Sequence, residues 1–336
     1  MSEFIYAINQ KTGRAPVIRK LGAIKLGMEQ TPVIFKGVPV IVESMTPDSI
    51  CNHQYIRCRN LATDEISDPF GIEYYFVSAF VDGDVLCAFA TSRHDDKPLT
   101  MYQNEVEQEW HDPRGGHNVR MFRTTDLKHW EEKDVISCPD RRLWNTSVCK
   151  GDGKYVMAIE VSHEEGFDIP QIGHQFTCFF AESTDLDHWT MMDDDKSYTA
   201  KRYNACPALR YANGWYYMIC LEEFPCKRYA SYIYRTQNFS HWEVGFHNPI
   251  MMWSDEDRIP KAGCSFTPEE LELLETGLNI NCSDIDFFEY EGKTHIYYAS
   301  GDQMTYSFLC EAVYDGPIDQ FWCRFLNDDM QKRPVC

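Results

Sequence analysis

Acidic and amide side chains recur at one place in a repeated strand pattern of this 336-residue chain. The residues eight positions before five turn glycines are Glu29, Tyr75, Asn145, Cys206 and Asp284. Asp286 follows Asp284 with one residue between them, so both side chains face the same side of a strand. Carboxylates and amides gathered at one end of several strands could bind a polar small molecule, and two close carboxylates could act as a general acid and a base.

Polar side chains also recur where the strands after the same glycines end. These residues include Glu43, Arg93, Glu160, His163, Glu222 and Asp302. Glu160 and Glu222 follow the apolar runs 156–159 and 218–221, where a carboxylate is costly unless it is paired or functional. They stand seven and eight residues after their glycines. We therefore expect them to be neighbours that push each other's pKa values apart, as an acid and a base require.

These positions give a hypothesis with three catalytic carboxylates. Glu222 is predicted to be the general acid, because burial beside a second carboxylate raises the pKa of a glutamate. Glu160 is predicted to be its carboxylate partner. Asp284, which stands beside the polar Ser283, is predicted to position the substrate or water. The predicted substrate-binding residues are Asn145, Asn204, Asp286, Glu43, Arg93, His163, Asp302 and Trp144.

Two other interpretations of the same acidic residues stay open. The carboxylates could pair as structural struts with Arg57, Arg59, Arg93 or Arg202. They could also hold a cation, and a divalent ion could be ligated jointly by His53, His94, His163 and Asp302. The hydrolytic hypothesis itself requires no cofactor.

A repeated sequence pattern predicts the strands and turns that must position these residues. The segments 123–131, 182–190 and 235–243 are copies of one another, and each joins an aromatic-rich strand to a Trp through an Asp or Asn turn. Five strand pairs with tight turns at Gly37, Gly83, Gly153, Gly214 and Gly292 accompany them. Asp-Gly and Asn-Gly between apolar runs favour hairpins, because the primed turns need positive φ.

Five hairpins and the copied segments predict five four-stranded sheets. Such sheets bury their faces by stacking, and radial closure protects their edges. The predicted fold is therefore an all-β, five-bladed β-propeller with Trp130, Trp189 and Trp242 at equivalent buried positions. A two-sheet sandwich is the alternative, but it does not need one nine-residue motif three times.

We expect a single domain over residues 1–336. Its blades are predicted at roughly 28–66, 70–138, 141–197, 202–250 and 280–326. A helix is predicted at 267–277, between blades four and five. Thr267 would cap it, Pro268 would open it, Glu270 would complete a capping box and Gly277 would end it.

Composition narrows the partners and the compartment. A net charge of −20 argues against nucleic acid and anionic membrane as partners. No apolar run approaches the ~20 residues of a membrane helix, and Met1–Phe4 does not resemble a signal peptide. The fourteen cysteines fall largely within strands and contain no Cys-x-x-Cys pair. We therefore expect reduced thiols without disulfides and a cytoplasmic protein.

The hairpins followed by Ser-Thr-Asp-Leu-x-His-Trp at 183–189 resemble the five-bladed propeller glycosidases, which include arabinanases, β-xylosidases, invertases and anhydrogalactosidases. The resemblance covers roughly residues 28–326. Segments 144–149, 204–210 and 281–286 are similar to a group of bacterial glycosidase-like proteins. This implies hydrolysis of a small glycoside or oligosaccharide in a central pocket lined by carboxylates.

The chain departs from the arabinanase and xylosidase pattern at two catalytic positions. Ala205 stands where that pattern has a Glu before Pro207, and Ser147 stands where it has an Asp. Those roles do not transfer, so Glu160, Glu222 and Asp284 are the best substitutes.

Two other function classes fit the same resemblance. A non-catalytic carbohydrate-binding propeller would need the aromatic and amide groups but not close carboxylates. A non-hydrolytic lyase, epimerase or phosphorylase would add a metal-ligand cluster or a phosphate-binding Arg/His pair.

Overall fold

The computed structural model describes residues 18–92, 99–103, 106–110, 116–162, 176–199, 202–225, 227–245, 247–303 and 305–326. Its strands are β1 (Ile18–Leu26), β2 (Gln30–Phe35), β3 (Val38–Met45), β4 (Tyr55–Asn60), β5 (Tyr74–Asp82), β6 (Val85–Ser92), β7 (Leu99–Gln103), β8 (Val106–Trp110), β9 (Asn118–Thr124), β10 (Glu131–Ser137), β11 (Arg142–Gly151), β12 (Lys154–Ser162), β13 (Phe176–Ser183), β14 (Trp189–Met191), β15 (Ala205–Ala212), β16 (Trp215–Phe224), β17 (Arg228–Thr236), β18 (Trp242–Val244), β19 (Ser283–Tyr290), β20 (Lys293–Gly301) and β21 (Ser307–Tyr314). Its α-helices are α1 (Pro268–Thr276) and α2 (Ile318–Leu326).

Five antiparallel sheets form the blades of a five-bladed β-propeller, which confirms the predicted all-β fold class. The strand orders are β2-β3-β4, β10-β9-β6-β5, β11-β12-β13-β14, β15-β16-β17-β18 and β1-β21-β20-β19. All five predicted hairpins are present as neighbouring strands within these sheets. Strands β7 and β8 pair separately as a two-stranded ribbon.

The chain divides into two compact units. The 29–214 unit comprises Glu29–Gly214 and Asn238–His241, and the 215–336 unit comprises Met1–Met28, Trp215–Gln237 and Trp242–Cys336. The predicted single domain over residues 1–336 stays a prediction. No helix in the described part of the chain is both long and apolar enough to cross a membrane.

The first sheet has three strands among the described residues, so the prediction of a fourth strand there is wrong. The segment after β4 makes only isolated bridges, from Ile66 to Arg59 and from Phe70 to Ile56. Pro69 lies within this segment and has no N–H to donate, which explains why a continuous ladder does not form.

The outer strand of the fifth sheet is β1, which the sequence reasoning did not predict. It pairs antiparallel with β21 from Ile18↔Tyr314 to Leu26↔Phe308. Lys20 of β1 is further held by Asp257, whose Oδ1 lies 2.6 Å from the lysine Nζ. The fifth blade is therefore built from two segments that are nearly 300 residues apart in sequence.

The copied segments form side-chain-capped turns, and the second copy is representative. Ser183 Oγ accepts a hydrogen bond from the backbone N–H of Leu186 at 3.0 Å. Asp185 Oδ1 accepts one from the backbone N–H of His188 at 2.8 Å, and its Oδ2 lies 2.8 Å from the His188 ring Nδ1. Leu186 has a left-handed backbone with φ of 67°. The repeated residue types are therefore those that this turn requires.

The other two copies form the same turn. In the first, Asp126 Oδ1 accepts from the backbone N–H of His129 at 2.8 Å. In the third, Asn238 Oδ1 accepts from the backbone N–H of His241 at 3.0 Å. The recurrence of the histidines is thus explained by turn structure.

Each copied segment delivers a tryptophan to the start of an edge strand. Trp130, Trp189 and Trp242 are equivalent but half-buried, so the expectation of full burial is wrong. Trp130 stacks on Phe70 with ring centroids 3.6 Å apart. An edge strand has only one neighbouring strand, which leaves part of each indole exposed to solvent.

The predicted helix is confirmed as α1. Thr267 Oγ1 accepts from the backbone N–H of Glu270 at 3.2 Å, and Glu270 Oε2 accepts from the backbone N–H of Thr267 at 2.8 Å. This is the expected capping box. Helix α2 was not predicted, and its aromatic residues Phe321 and Trp322 are almost fully buried.

Candidate functional site

The inner strands begin with an unusual backbone at the positions where the polar residues recur. In three sheets the residue eight before the turn glycine has positive φ: Glu29 (58°), Cys206 (50°) and Asp284 (51°). In the second sheet the next residue, Phe76, has φ of 53°. Left-handed backbone is uncommon for such residues and clusters at functional sites.

Irregular strand pairing accompanies this backbone. The register shifts between Tyr75 and Ser78, between Leu143 and Thr146, and between Ser283 and Asp286. A bulge of this kind re-aims the neighbouring side chains. At the starts of these strands, side chains therefore point in directions that a regular strand would not allow.

In the 29–214 unit, Glu160 is the centre of a buried polar contact. Its side chain is 3% exposed. Oε2 accepts a hydrogen bond from Asn145 Nδ2 at 3.1 Å and another from the backbone N–H of Cys206 at 2.8 Å. The backbone at Cys206, which has a positive φ of 50°, thus donates to the carboxylate of Glu160. Two N–H donors on one oxygen stabilise the ionised carboxylate.

Aromatic rings lie beside this contact in the same unit. Trp144 packs edge-on against Phe76 at 5.0 Å and against Phe176 at 5.4 Å between ring centroids. Phe176 in turn packs against Tyr203 at 5.5 Å, and the Phe176 carbonyl accepts from the backbone N–H of Asn204 at 3.1 Å. Of the predicted binding residues, Asn145 contacts Glu160 directly, while Trp144 and Asn204 are joined to each other through Phe176.

Buried polar atoms without a hydrogen-bond partner are concentrated at these strand ends. Among the described residues they include both amide atoms of Gln30 and of Asn204, Thr91 Oγ1 and Trp144 Nε1. All four residues are at most 5% exposed. Leaving such a group unpaired costs about 1–3 kcal/mol. Native proteins keep few of them, and each calls for an explanation.

Glu43 has a different environment from Glu160. Its Oε2 lies 2.8 Å from Arg57 Nε and its Oε1 lies 3.3 Å from Arg59 Nε. The carboxylate is 2% exposed. This geometry matches the alternative interpretation, in which an acid pairs with arginines as a structural strut.

In the 215–336 unit, Glu222 lies near the end of β16 and is 5% exposed. The Tyr234 hydroxyl donates a hydrogen bond to Glu222 Oε1 from the neighbouring strand β17. Tyr232 lies on the same strand, stacked 6.5 Å from Tyr234, and Phe224 packs 5.8 Å from Tyr232. Glu222 thus lies on an aromatic face of this sheet and has a hydroxyl partner.

Asp284 and Asp286 open β19 in the same unit and are 9% and 7% exposed. The Ser283 hydroxyl donates to Asp284 Oδ2, and Asn281 Nδ2 donates to Ser283 Oγ at 2.8 Å. Asp286 Oδ1 instead accepts from the backbone N–H of Phe287 at 2.7 Å. Asp284 therefore accepts from the short hydrogen-bond chain of Asn281 and Ser283, whereas Asp286 accepts from the backbone of the next residue within β19.

The remaining predicted site residues are Asp302, Arg93 and His163, of which only Asp302 lies within the described residues. Asp302 Oδ1 accepts from the backbone N–H groups of Thr305 and Tyr306 at 2.7 and 3.1 Å, and it shapes that loop. Arg93 and His163 lie outside the described residues, as does His94. The described ranges contain no group of three or more His, Cys, Asp or Glu arranged to hold a metal ion.

Glu160 belongs to the 29–214 unit and Glu222 and Asp284 to the 215–336 unit. Their predicted proximity stays a prediction. Sequence reasoning missed Tyr234, Ser283 and Asn281 as partners of the carboxylates. Asn281 and Ser283 stand close to Asp284 in the sequence, so their contacts could have been predicted from it. The Tyr234 contact could not, because it depends on the register between two strands.

Solved structures with the same fold are glycoside hydrolases. The GH43 protein BlXynB from Bacillus licheniformis has a TM-score of 0.50 at 11% identity, over 83% of this chain and 50% of its own. The GH32 β-fructofuranosidase BmSUC1 from Bombyx mori has a TM-score of 0.50 at 13% identity, over 87% and 61%. A glycosyl hydrolase from Bacteroides ovatus has a TM-score of 0.53 at 12% identity, over 93% and 89%.

These comparisons define the fold class as that of the five-bladed propeller glycoside hydrolases. The chain spans only 50% and 61% of the first two proteins. At such low identities the likeness establishes the fold alone. No protein-family profile and no curated protein sequence matches the chain.

Proposed function

We propose that this protein is a glycoside hydrolase that cleaves a small glycoside or oligosaccharide. The observation that carries the proposal is the setting of Glu160. This buried carboxylate is held by Asn145 and the Cys206 N–H, and Trp144 and Asn204, which stand next to Asn145 and two residues before Cys206 in the sequence, both carry unpartnered buried polar atoms. Sugars present hydroxyl groups that donate and accept, so amide and indole groups of this kind suit them.

In the proposed reaction Glu222 donates a proton to the glycosidic oxygen as the bond to the anomeric carbon breaks. The electron pair of that bond goes to the leaving oxygen. Glu160, ionised through its two N–H donors, either activates a water molecule or attacks the anomeric carbon directly. Asp284 positions the substrate or water.

The structural neighbours support the substrate class. The proteins with the same fold are named as glycoside hydrolases, and a variant of the Bombyx mori β-fructofuranosidase was solved in complex with sucrose. We therefore propose that the binding partner of this protein is a small carbohydrate. It requires no cofactor.

The proposal includes one domain over residues 1–336 and a cytoplasmic location. The described cysteines are free thiols and most are buried, as suits a reducing compartment. Expression with and without an export signal tests the location. We expect full thiol content and activity from cytoplasmic expression, and recovery of active protein only after export would contradict it.

Turnover and binding must be measured on the same sugars. We expect a panel of small neutral glycosides to contain at least one that the protein hydrolyses, with release of free sugar followed by chromatography. Calorimetry on the same panel measures binding.

A second candidate function is sugar binding without catalysis. It is favoured by the unpartnered amide of Asn204, since a binding site needs such groups whether or not chemistry follows. Binding of a sugar without turnover of any glycoside in the panel would replace the hydrolase proposal with this one.

A further inference from the structure

The side chain of Tyr234 reaches Glu222, the predicted general acid, within the 215–336 unit. Its ring is fully buried, and its hydroxyl donates to Glu222 Oε1 across the β16–β17 pair. We propose that Tyr234 is a positioning residue that prepares Glu222 to donate its proton. This inference rests on the proposed hydrolase function and adds a residue to it.

The hydrogen bond distinguishes the two oxygens of Glu222. An oxygen that accepts the Tyr234 O–H acts as the carbonyl-type oxygen of a protonated carboxyl group. The transferable proton then resides on Oε2. Tyr234 therefore determines which of the two Glu222 oxygens carries the proton that passes to the leaving group.

The same bond strengthens during the reaction. As the proton passes from Glu222 Oε2 to the glycosidic oxygen, negative charge develops on the carboxylate. A hydroxyl that donates to a charged acceptor makes a bond about twice as strong as one to a neutral acceptor. Tyr234 keeps its own proton and stabilises the carboxylate that forms.

The surroundings of the pair make this bond effective. Met218, Cys220 and Glu222 alternate along one face of β16, and Met218 pairs with Tyr234 in the strand register. Both Glu222 and Tyr234 are withdrawn from solvent, at 5% and 0% exposure. In such a setting water competes little for the carboxylate, so a fixed donor has its full effect.

The test uses leaving groups of different quality. A methyl glycoside needs a proton on its leaving oxygen, whereas a 2,4-dinitrophenyl glycoside of the same sugar leaves as a stable anion. We expect Tyr234→Phe to lower kcat for the methyl glycoside by about 10- to 100-fold, the range of a hydrogen bond to a charged group. We expect kcat for the dinitrophenyl glycoside to fall by less than about threefold, because that step needs no acid.

A matched control is Tyr217→Phe. Tyr217 is in the same sheet, 1% exposed, and its ring stacks on Trp322 at 4.9 Å on the opposite face of β16 from Glu222. This variant should affect both substrates alike. Equal losses on both substrates for Tyr234→Phe as well would reduce Tyr234 to a packing role and overturn the inference.

A second variant covers loss of folding. If Tyr234→Phe is unfolded by circular dichroism, p-aminophenylalanine at position 234 keeps the ring and offers an N–H donor. We expect it to fold and to lower kcat for the methyl glycoside by less than about threefold relative to wild type, because an N–H donor to Glu222 is kept. A selective loss of about 10-fold or more on the methyl glycoside, despite the retained donor, would overturn the inference.

Glu222→Gln separates the inference from the function on which it rests. Like Tyr234→Phe, this variant should lose more kcat on the methyl glycoside than on the dinitrophenyl glycoside. Adding Tyr234→Phe to it should not lower kcat for the methyl glycoside any further relative to the dinitrophenyl glycoside. A further selective loss when Tyr234→Phe is added to Glu222→Gln overturns the inference alone. Absence of any preference in Glu222→Gln removes the acid role of Glu222 and with it the inference, whereas absence of turnover of every glycoside by the wild-type protein removes the proposed function.

Discussion

At the scale of single residues, the contact between Asn145 and Glu160 makes a prediction about activity. Asn145→Ala removes a side-chain donor to Oε2 of the Glu160 carboxylate, and we expect kcat to fall about 10- to 100-fold. Asn145→Asp should be worse, because it places a second carboxylate 3.1 Å from the first. Steady-state kinetics measure both variants, and unchanged kcat in both would remove Asn145 and Glu160 from the site.

The cysteines provide a second residue-scale prediction. Burial raises the pKa values of Cys58, Cys87 and Cys149 to about 12, so they stay protonated and unreactive near neutral pH. Cys206 is only half-buried and lies beside Glu160. Alkylation of the native protein at pH 8, read by peptide mass mapping, should modify Cys206 well before the three buried thiols.

Substrate should also protect Cys206 in that experiment. Cys51 is a matched reference, since it is half-buried in the same unit and lies between β3 and β4, whereas the Cys206 N–H donates to Glu160. Equal protection of Cys51 and Cys206, or of neither, would argue against a site around Glu160.

At the scale of elements, the copied turn predicts how one position tolerates change. The third copy uses Asn238 where the second uses Asp185, and both side chains cap backbone N–H groups. We therefore expect Asp185→Asn to leave Tm nearly unchanged at pH 7 and Asp185→Ala to lower it. Differential scanning calorimetry measures both, and equal losses for Asn and Ala would show that charge, not capping, matters.

The pH dependence of the same turn has a definite sign. The hydrogen bond from His188, followed by the backbone N–H groups, holds the pKa of Asp185 well below its usual range. A depressed folded-state pKa gives stability that is present above the unfolded-state value of about 3.9 and is lost as pH falls through the folded-state pKa. Because Asn does not titrate, the Tm of wild type, which nearly equals that of Asp185→Asn at pH 7, should fall below it at pH values under 4. A wild-type Tm that stays level with or above that of Asp185→Asn there would contradict the assignment.

The strand β1 is held by an ion pair that gives a further element-scale prediction. Lys20 and Asp257 have side chains 8% and 1% exposed, and Tyr298 also donates to Asp257 at 2.7 Å. Lys20→Ala leaves a buried carboxylate without its cation and should cost roughly 3–5 kcal/mol in the free energy of unfolding. Arg19→Ala, at an exposed position of the same strand, is the control.

Urea unfolding measures the cost of Lys20→Ala in the free energy of unfolding. A cost equal to that of Arg19→Ala would show that β1 is held by backbone pairing alone.

The stabilisation that Lys20 provides should also depend on pH, with a definite sign. Burial alone would lower the pKa of Lys20, but Asp257 outweighs it and the net pKa is raised. The stabilisation is thus complete below the unfolded-state value of about 10.4 and is lost as pH rises beyond it.

At the scale of the whole molecule, the sequence predicts what short-range chemistry determines. The five hairpins, the capped turns and helix α1 all follow from a few neighbouring residues, and they were all found. The pairing of β1 with β21 was not predictable in this way. It joins residues 18–26 to residues 308–314 and leaves no local signal.

The candidate site shows the same limit. Asn145 and Glu160 were identified because they stand at fixed distances from turn glycines. The pairing of Glu43 with Arg57 and Arg59 was foreseen only as one alternative, since which acid meets which arginine is set by cross-strand register in β3 and β4. Helix α2 was missed although Pro317 precedes it and its aromatic spacing at 321, 322 and 325 is helical.

The central claim is that Glu222 and Glu160 are a catalytic pair. Its most direct test measures kcat on a hydrolysed glycoside for Glu222→Gln, Glu160→Gln and the control Glu223→Gln, whose carboxylate is 3.1 Å from Lys227. We predict a loss of at least about 100-fold for the first two, as for removal of a general acid or base, with folding retained. Glu223→Gln should stay near wild type. Near-full activity in both Glu222→Gln and Glu160→Gln would contradict the account.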